Sequence, residues 1–313
     1  MHLCNSAAAL AAVVLSLPGV IGAQDETSTF RADTRLVVLH ASVVDSKGNL
    51  ITSLKKSDFK VFENSVEQQV KVFRREDVPV SMGLIIDNSG SMRDKRKKVE
   101  TAALALVKAS NPRDEVLVVN FNDEAYEDVP FTNDIKKMEE GLTKIDSRGG
   151  TAMRDAIDLV IDHMKTKAKK DKKVIFIVTD GNDNTSTISL EKLVQKAHNS
   201  EIVMYAIGLL NEEEHREAKK AKRALDALTT ASGGVAYYPK ELADVERIAL
   251  QVAQDIRNQY ILAYTPSNTA LDGSFRQIKV QTPSHKYSVR TRSGYYATPD
   301  LPKRAATGPK PSE

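Results

Sequence analysis

The chain has 313 residues, with 45 Lys and Arg against 42 Asp and Glu, a formal net charge of +3 and 41% hydrophobic residues. This balance of charges argues against a polybasic nucleic-acid-binding protein, and the length predicts about two domains. The single cysteine, Cys4, excludes a disulfide-stabilised scaffold.

The chain begins with an almost unbroken apolar run, Ala7–Val20, which ends at Ile21-Gly22-Ala23. Such a run followed by small residues predicts a secretory signal peptide, residues 1–23, cleaved after Ala23. The run is shorter than the roughly 20 apolar residues that span a membrane. The residues before it lack Lys and Arg, so an uncleaved anchor and a misplaced start are alternatives. We therefore expect an exported protein, periplasmic, at the cell surface or secreted, with no stable membrane span after cleavage.

Two β-rich segments, residues 24–78 and 258–297, are predicted from a two-residue apolar period. The period occurs in Leu36–Val44, Phe59–Glu63, Gln69–Phe73, Tyr260–Thr265, Phe275–Gln281, Tyr287–Arg292 and Tyr295–Ala297. Segments of about 45 residues are marginal for independent cores. We therefore predict that 258–297 pairs with 30–78 in one small β-sandwich, with two separate β modules as the alternative. The proline-rich residues 298–313 predict a disordered tail.

Between these segments, residues 79–257 alternate short apolar runs with helical stretches. Strands are predicted at Ser81–Ile86, Glu115–Phe121, Lys173–Thr179 and Ile202–Ile207, with a hairpin-like piece near Tyr126. Helices are predicted at Lys95–Lys108, Asn133–Lys144, Met153–Lys167, Leu190–Asn199, Glu212–Ala231 and Leu242–Arg257. The alternation predicts an α/β domain with a doubly wound, mostly parallel sheet, inserted in or flanked by the sandwich.

Oxygen-bearing side chains follow two of the predicted strands. Asp87, Ser89 and Ser91 come at the end of the first, Asp180 follows the third, and Thr151 follows a glycine pair ahead of a helix. Ligands of open α/β sheets bind beyond the carboxyl ends of the strands. Taken singly, these residues could be helix caps. Together they are hard oxygen ligands, which favour Mg²⁺, Mn²⁺ or Ca²⁺ over zinc or copper.

The pattern D-x-S-x-S, a distant Thr and a distant Asp that opens a D-G turn resembles the metal-ion-dependent adhesion site of von Willebrand factor type A domains, which have a Rossmann-like fold. The resemblance covers approximately Val80–Arg257. The residues Asp58–Glu63 and Arg290–Tyr296 also resemble those of a bacterial group of secreted proteins with this domain. The resemblance implies five metal ligands, in which hydroxyls bind directly and carboxylates partly through water: Asp87, Ser89, Ser91, Thr151 and Asp180.

The resemblance also implies a function. A cation held in this way, Mg²⁺ in our expectation with Mn²⁺ or Ca²⁺ as alternatives, keeps much of its charge and can bind the carboxylate of an Asp or Glu exposed on a partner protein. We expect adhesion or scaffolding, no enzymatic activity and no nucleic-acid partner. In some relatives the last helix moves, and Leu242–Arg257 would be that helix here.

Two alternative functions use the same residues. A metal-dependent phosphohydrolase could use Asp87 as its nucleophile, but Ser89 stands where the related enzymes have a second Asp as acid and base. A structural surface protein could use the metal only to fix its loops.

Three other features are weaker. Asp180, Asn182, Asn184 and Glu191 have the spacing of an EF-hand, but Thr185 stands where that loop has Gly and a strand comes before it. We expect Asp155 to be first-turn helix charge or support for the site. The lysine-rich stretch Lys165–Lys173 predicts a solvated helix end, with an acidic surface as the alternative contact.

Overall fold

A computed structural model describes residues 35–143, 147–181, 183–210, 215–284 and 286–299. The predicted signal peptide 1–23, the following residues 24–34 and residues 300–313 of the predicted tail lie outside the described residues. Within the described ranges, no helix is long and apolar enough to cross a membrane.

The described strands and helices follow one another as predicted in most of the chain. The strands are β1 (Val37–Val44), β2 (Lys60–Glu63), β3 (Val66–Gln68), β4 (Val70–Arg74), β5 (Val80–Asp87), β6 (Glu115–Phe121), β7 (Ala125–Thr132), β8 (Lys172–Thr179), β9 (Ile202–Gly208), β10 (Ala236–Tyr237), β11 (Tyr260–Tyr264), β12 (Phe275–Gln281), β13 (Ser288–Arg290) and β14 (Gly294–Tyr296). The α-helices are α1 (Arg96–Ala109), α2 (Ile135–Thr143), α3 (Met153–Thr166), α4 (Leu190–His198), α5 (His215–Ser232) and α6 (Asp244–Arg257).

A six-stranded sheet in the order β10-β9-β8-β5-β6-β7 forms the centre of the α/β domain. All neighbours are parallel except β6 and β7, which are antiparallel. Helices α1, α2 and α6 pack on one face and α3, α4 and α5 on the other. Every residue of β5, β6 and β9 is buried, as expected for a parallel sheet covered on both faces. The predicted fold class is confirmed.

The sheet reverses its strand order between β5 and β8. These two strands are neighbours, and β6 lies on the other side of β5. In this register Ile86 pairs with Val178, so Asp87 and Thr179 lie side by side at the carboxyl ends. Such a reversal point is where open α/β sheets bind their ligands.

Strands from both β-rich segments form the flanking sandwich. One sheet has the order β13-β1-β11-β4 and the other β14-β12-β2-β3, so each contains strands from before and after the α/β domain. Apolar side chains of the two sheets share one core. Inside it, the hydroxyls of Tyr264 and Tyr295 both donate to the buried carboxylate of Glu63, at 2.8 and 2.9 Å. This contact joins the two sheets.

The structure differs from the predicted elements in a few places. Strand β3 was missed because its residues Val66–Gln68 contain one apolar side chain, and it follows a tight turn at Asn64 and Ser65, both with positive φ. The short β10 was missed as well, and the piece near Tyr126 is a full edge strand, β7. Helix α6 begins at Asp244, two residues later than predicted.

One expectation about the lysine-rich stretch was wrong at one residue. Lys172 is the first residue of β8 and is buried, with 4% of its surface exposed. Its ammonium group donates to the carbonyl of Ile256 at the end of α6. A helix C-terminus leaves carbonyl groups without partners, so this contact offsets part of the cost of burying the ammonium group.

Candidate metal site

Strand β5 ends at Asp87, whose side chain is fully buried. One carboxylate oxygen accepts a hydrogen bond from the backbone N–H of Ser89 at 2.8 Å, and the other accepts one from the hydroxyl of Thr179 at 2.6 Å. Burial raises the pKa of Asp87 to about 6, although these hydrogen bonds act in the opposite direction. A carboxylate without water around it gains strongly from a nearby cation.

The turn after β5 brings Ser89 and Ser91 together. A short 3-10 turn, Gly90–Met92, follows Ser89 and is anchored by the buried side chain of Met92. The hydroxyl oxygens of Ser89 and Ser91 are 3.2 Å apart, and Ser91 donates to Asp180 Oδ1 at 2.8 Å. Ser89 is buried, whereas Ser91 is exposed. The five predicted ligands, called the set below, therefore extend from the buried end of β5 to the surface.

Thr151 reaches the same edge of the sheet from another loop. Gly149 has φ of +75°, which favours glycine, and its carbonyl accepts from the N–H of Gly90 at 3.3 Å. The buried Thr151 lies beside the turn after Asp180, because a Cβ on Gly181 would be 3.7 Å from its hydroxyl oxygen. No hydrogen bond joins Thr151 to the other four predicted ligands, all five of which are described. Thr151 therefore lies next to the other predicted ligands but is not hydrogen-bonded to them.

Two residues that the sequence did not indicate complete the polar contacts. Thr179 holds Asp87, as described above, and Lys95 places its ammonium nitrogen 2.5 Å from Asp180 Oδ2. Asp180 thus has Ser91 on one oxygen and Lys95 on the other. The contacts of Thr179 with Asp87 and of Lys95 with Asp180 both exist because β5 and β8 are neighbours in the sheet. In the sequence, the only signal for either was that Thr179 directly precedes Asp180.

Asp155 and Asn184 stabilise the loops around the set. The carboxylate of Asp155 accepts from the backbone N–H groups of Thr187 and Ile188, at 2.9 and 3.0 Å. Asn184 Oδ1 accepts from the N–H of Thr151 at 2.8 Å. Asp155 therefore supports the loop after β8, and Asn184 positions Thr151. Asn182 lies outside the described residues.

The donor set fits a hard divalent cation. It consists of hydroxyl and carboxylate oxygens, the ligands that Mg²⁺ and Ca²⁺ prefer. The described part of the chain has no group of three or more His, Cys, Asp or Glu side chains that could hold a metal. A cation, the ammonium of Lys95, already contacts Asp180.

The region that contains the set also has a family match. Residues 82–182 match the von Willebrand factor type A domain. The type A match covers about a third of the chain and contains all five predicted ligands, Asp87, Ser89, Ser91, Thr151 and Asp180. No curated protein matches the chain.

Several solved structures are similar. A von Willebrand factor type A protein from Catenulispora acidiphila aligns at 13% identity and a TM-score of 0.49, over 89% of this chain and 78% of that one. Proximal thread matrix protein 1 from the mussel byssus aligns at 15% identity and a TM-score of 0.47, over 62% of this chain and 49% of its own. The PilB minor pilin from Streptococcus sanguinis aligns at 14% identity and a TM-score of 0.47, over 59% and 62%. The chain thus spans less than two thirds of the latter two proteins.

Proposed function

We propose that this chain is an exported binding protein that holds one divalent cation, Mg²⁺ in the first place, and uses it to capture a carboxylate of a partner protein. The observation that carries the proposal is the hydrogen-bonded series Ser89, Ser91 and Asp180 beside the buried Asp87, at the point where the sheet reverses its strand order. The type A match over the same residues supports it. Export is proposed from the apolar N-terminal run.

The charges of the site favour an anionic ligand. Asp87 and Asp180 carry two negative charges, and Lys95 contributes one positive charge. With Lys95 still in place, a divalent ion bound among them would leave the site net positive, which would attract a carboxylate. Ser91 is exposed, so an ion bound next to it is reachable from the surface. An Asp or Glu of a partner would then supply a further oxygen ligand.

We propose binding and not catalysis for this site. Ser89 lies close to Asp87 and Ser91, where an acid or base would be needed to hydrolyse a phosphate ester. A serine hydroxyl has no titration near neutral pH and cannot take that role alone. Absence of turnover of a generic phosphate ester by the Mg²⁺-loaded protein is the expected result.

The test is a calorimetric titration of the chelator-treated full chain with Mg²⁺, Mn²⁺ and Ca²⁺. We expect binding of one ion, and a loss of at least tenfold in affinity, about 1.4 kcal/mol, in Ser91→Ala. Thr185→Ala is the matched control, because it removes an exposed hydroxyl from a neighbouring loop outside the set. Absence of binding in the wild type, or equal affinity in Ser91→Ala, would contradict the proposal.

A second titration addresses the partner. A short peptide with a single Asp is compared with the same peptide carrying Asn, each with and without Mg²⁺. We expect only the Asp peptide to bind, and only with the metal present. Equal binding of both peptides would show that the ion does not recognise a carboxylate.

A further inference from the structure

Lys95 is a cation fixed beside the candidate metal site by the same turn that carries Ser91. Its backbone N–H donates to the carbonyl of Met92 at 2.9 Å, which holds it one turn beyond the serines. Its ammonium nitrogen is 2.5 Å from Asp180 Oδ2, while Ser91 donates to Asp180 Oδ1. The side chain of Asp180 has 0% exposure and that of Lys95 has 26%. The carboxylate is thus enclosed between a hydroxyl and an ammonium group.

We propose that Lys95 is an affinity-determining residue of the site, because it competes with the divalent cation for the carboxylate of Asp180. The part of this inference that concerns metal affinity rests on the function proposed above. In chelator, Lys95 neutralises a carboxylate that has no exposure to water. When the divalent ion binds, it has to share Asp180 with the ammonium group or displace it. The lysine therefore lowers the affinity of the site for the divalent ion.

The physical reason is the short distance between two positive charges. An ion bound through the oxygens of Ser91 and Asp180 lies within a few ångströms of the ammonium nitrogen, since both groups contact the same carboxylate. Repulsion between two positive charges at that range is substantial even near a protein surface. Loss of the lysine removes this repulsion and also leaves Asp180 buried without a counter-ion in the absence of metal. The two effects have opposite signs and can be measured separately.

The test compares Lys95→Met with the wild type in Mg²⁺ titration and in thermal unfolding, on the full chain. We expect Lys95→Met to bind Mg²⁺ at least tenfold more tightly. In chelator its Tm should be lower than that of the wild type, and saturating Mg²⁺ should raise its Tm by more. A purely structural role of Lys95 would lower the Tm in chelator and leave the affinity for Mg²⁺ unchanged.

Two further variants exclude a general charge effect. Lys97→Met removes the same charge two residues away, from an exposed side chain, and we expect wild-type affinity and Tm. Lys95→Arg keeps a cation at the position, and we expect an affinity within threefold of the wild type. An equal gain in Lys97→Met would overturn the proposal.

The outcomes separate this inference from the proposed function. If wild type and Lys95→Met bind Mg²⁺ with equal affinity, the binding function stands and the competition by Lys95 is wrong. If Lys95→Met binds more weakly, the lysine positions Asp180 for the metal and the proposal is overturned. If neither protein binds any divalent ion, both the function and the inference fail.

Discussion

Removal of Arg290 is expected to destabilise the fold by about 3 kcal/mol. This side chain comes from β13 of the sandwich and donates to Asp255 Oδ2 of α6 at 2.8 Å, and the same oxygen accepts from the hydroxyl of Tyr205 at 3.0 Å. Breaking a buried ion pair by removing one partner costs roughly 3–5 kcal/mol. Asp255 has 3% side-chain exposure and Arg290 has 23%, so water reaches the arginine and the lower end of this range applies.

The assay is equilibrium urea unfolding of the full chain, followed by circular dichroism and by tyrosine fluorescence. We would compare Arg290→Met, Asp255→Asn and the double variant. Because each single change leaves a buried partner unpaired, the loss in the double variant should be smaller than the two single losses added together, by at least about 1 kcal/mol. The unfolding curves from the two probes must coincide, because a chain with one core in the α/β domain and another in the sandwich can unfold in more than one step.

Arg247→Met is the matched control for this pair. Arg247 contacts Asp244 at 2.8 Å on the same helix, but the two side chains have 67% and 41% exposure. Such a pair contributes little, and the change in free energy of unfolding should stay within about 0.5 kcal/mol. Additivity of Arg290→Met and Asp255→Asn to within about 0.5 kcal/mol would refute the reasoning, because it would show that the two groups do not interact.

Three more predictions concern the site and its supports. Thr179→Val removes the hydroxyl that donates to the buried Asp87 and should lower the free energy of unfolding by roughly 1.5–3 kcal/mol in urea titrations, since a hydrogen bond to a charged group contributes about that much to stability. Unchanged stability would contradict this contribution. Burial lowers the pKa of Lys172 from 10.5 to about 8, so the unfolded state binds more protons between these values and this group's contribution to stability rises with pH. The free energy of unfolding of the wild type minus that of Lys172→Met should therefore increase by about 2 kcal/mol from pH 8 to 10, in urea titrations, and a flat difference would contradict the lowered pKa. Gly149→Ala should cost more stability than Gly48→Ala in thermal unfolding, because both have positive φ but only at Gly149 would a Cβ collide with a side chain; equal losses would leave backbone strain as the sole effect.

The central sheet was predictable because its strands are buried on both faces. In β5, β6 and β9 every residue is buried, so the sequence shows short, nearly continuous apolar runs between helical stretches. The fold class follows from that alternation. The edge strands were harder to predict because they bury few side chains. β10 has two residues, both half-buried, and β3 has one buried residue of three.

The candidate site was predictable as a set of residues and not as a set of contacts. Asp87, Ser89 and Ser91 are close in sequence, and their proximity follows from one turn. The contact of Lys95 with Asp180 depends on β5 and β8 being neighbours, which the sequence does not state. The presence of the metal remains a prediction.

Lys172 shows a different limit of sequence reasoning. Its neighbours in the sequence are mostly charged and exposed, so composition indicated solvent for the whole stretch. Its burial is set by the end of α6, about 80 residues further along the chain, whose carbonyl it contacts. A single cation inside a solvated charge run can be recognised only when its acceptor is known.

The way the sandwich is assembled has a consequence for the order of folding. Strand β1 has two neighbours, β11 and β13, and both follow the α/β domain in the chain. During synthesis β1 therefore has neither of these neighbouring strands to pair with until Tyr260 and the residues after it have been made. Pairings of such long sequence separation are slow to form. If the α/β domain folds first, it holds the start of β5 and the end of α6 in place, which shortens the effective loop that the pairing of β4 with β11 has to close. We expect the sandwich to form last, and the open edges of β1 to be the part of the newly made chain most prone to pair with another molecule.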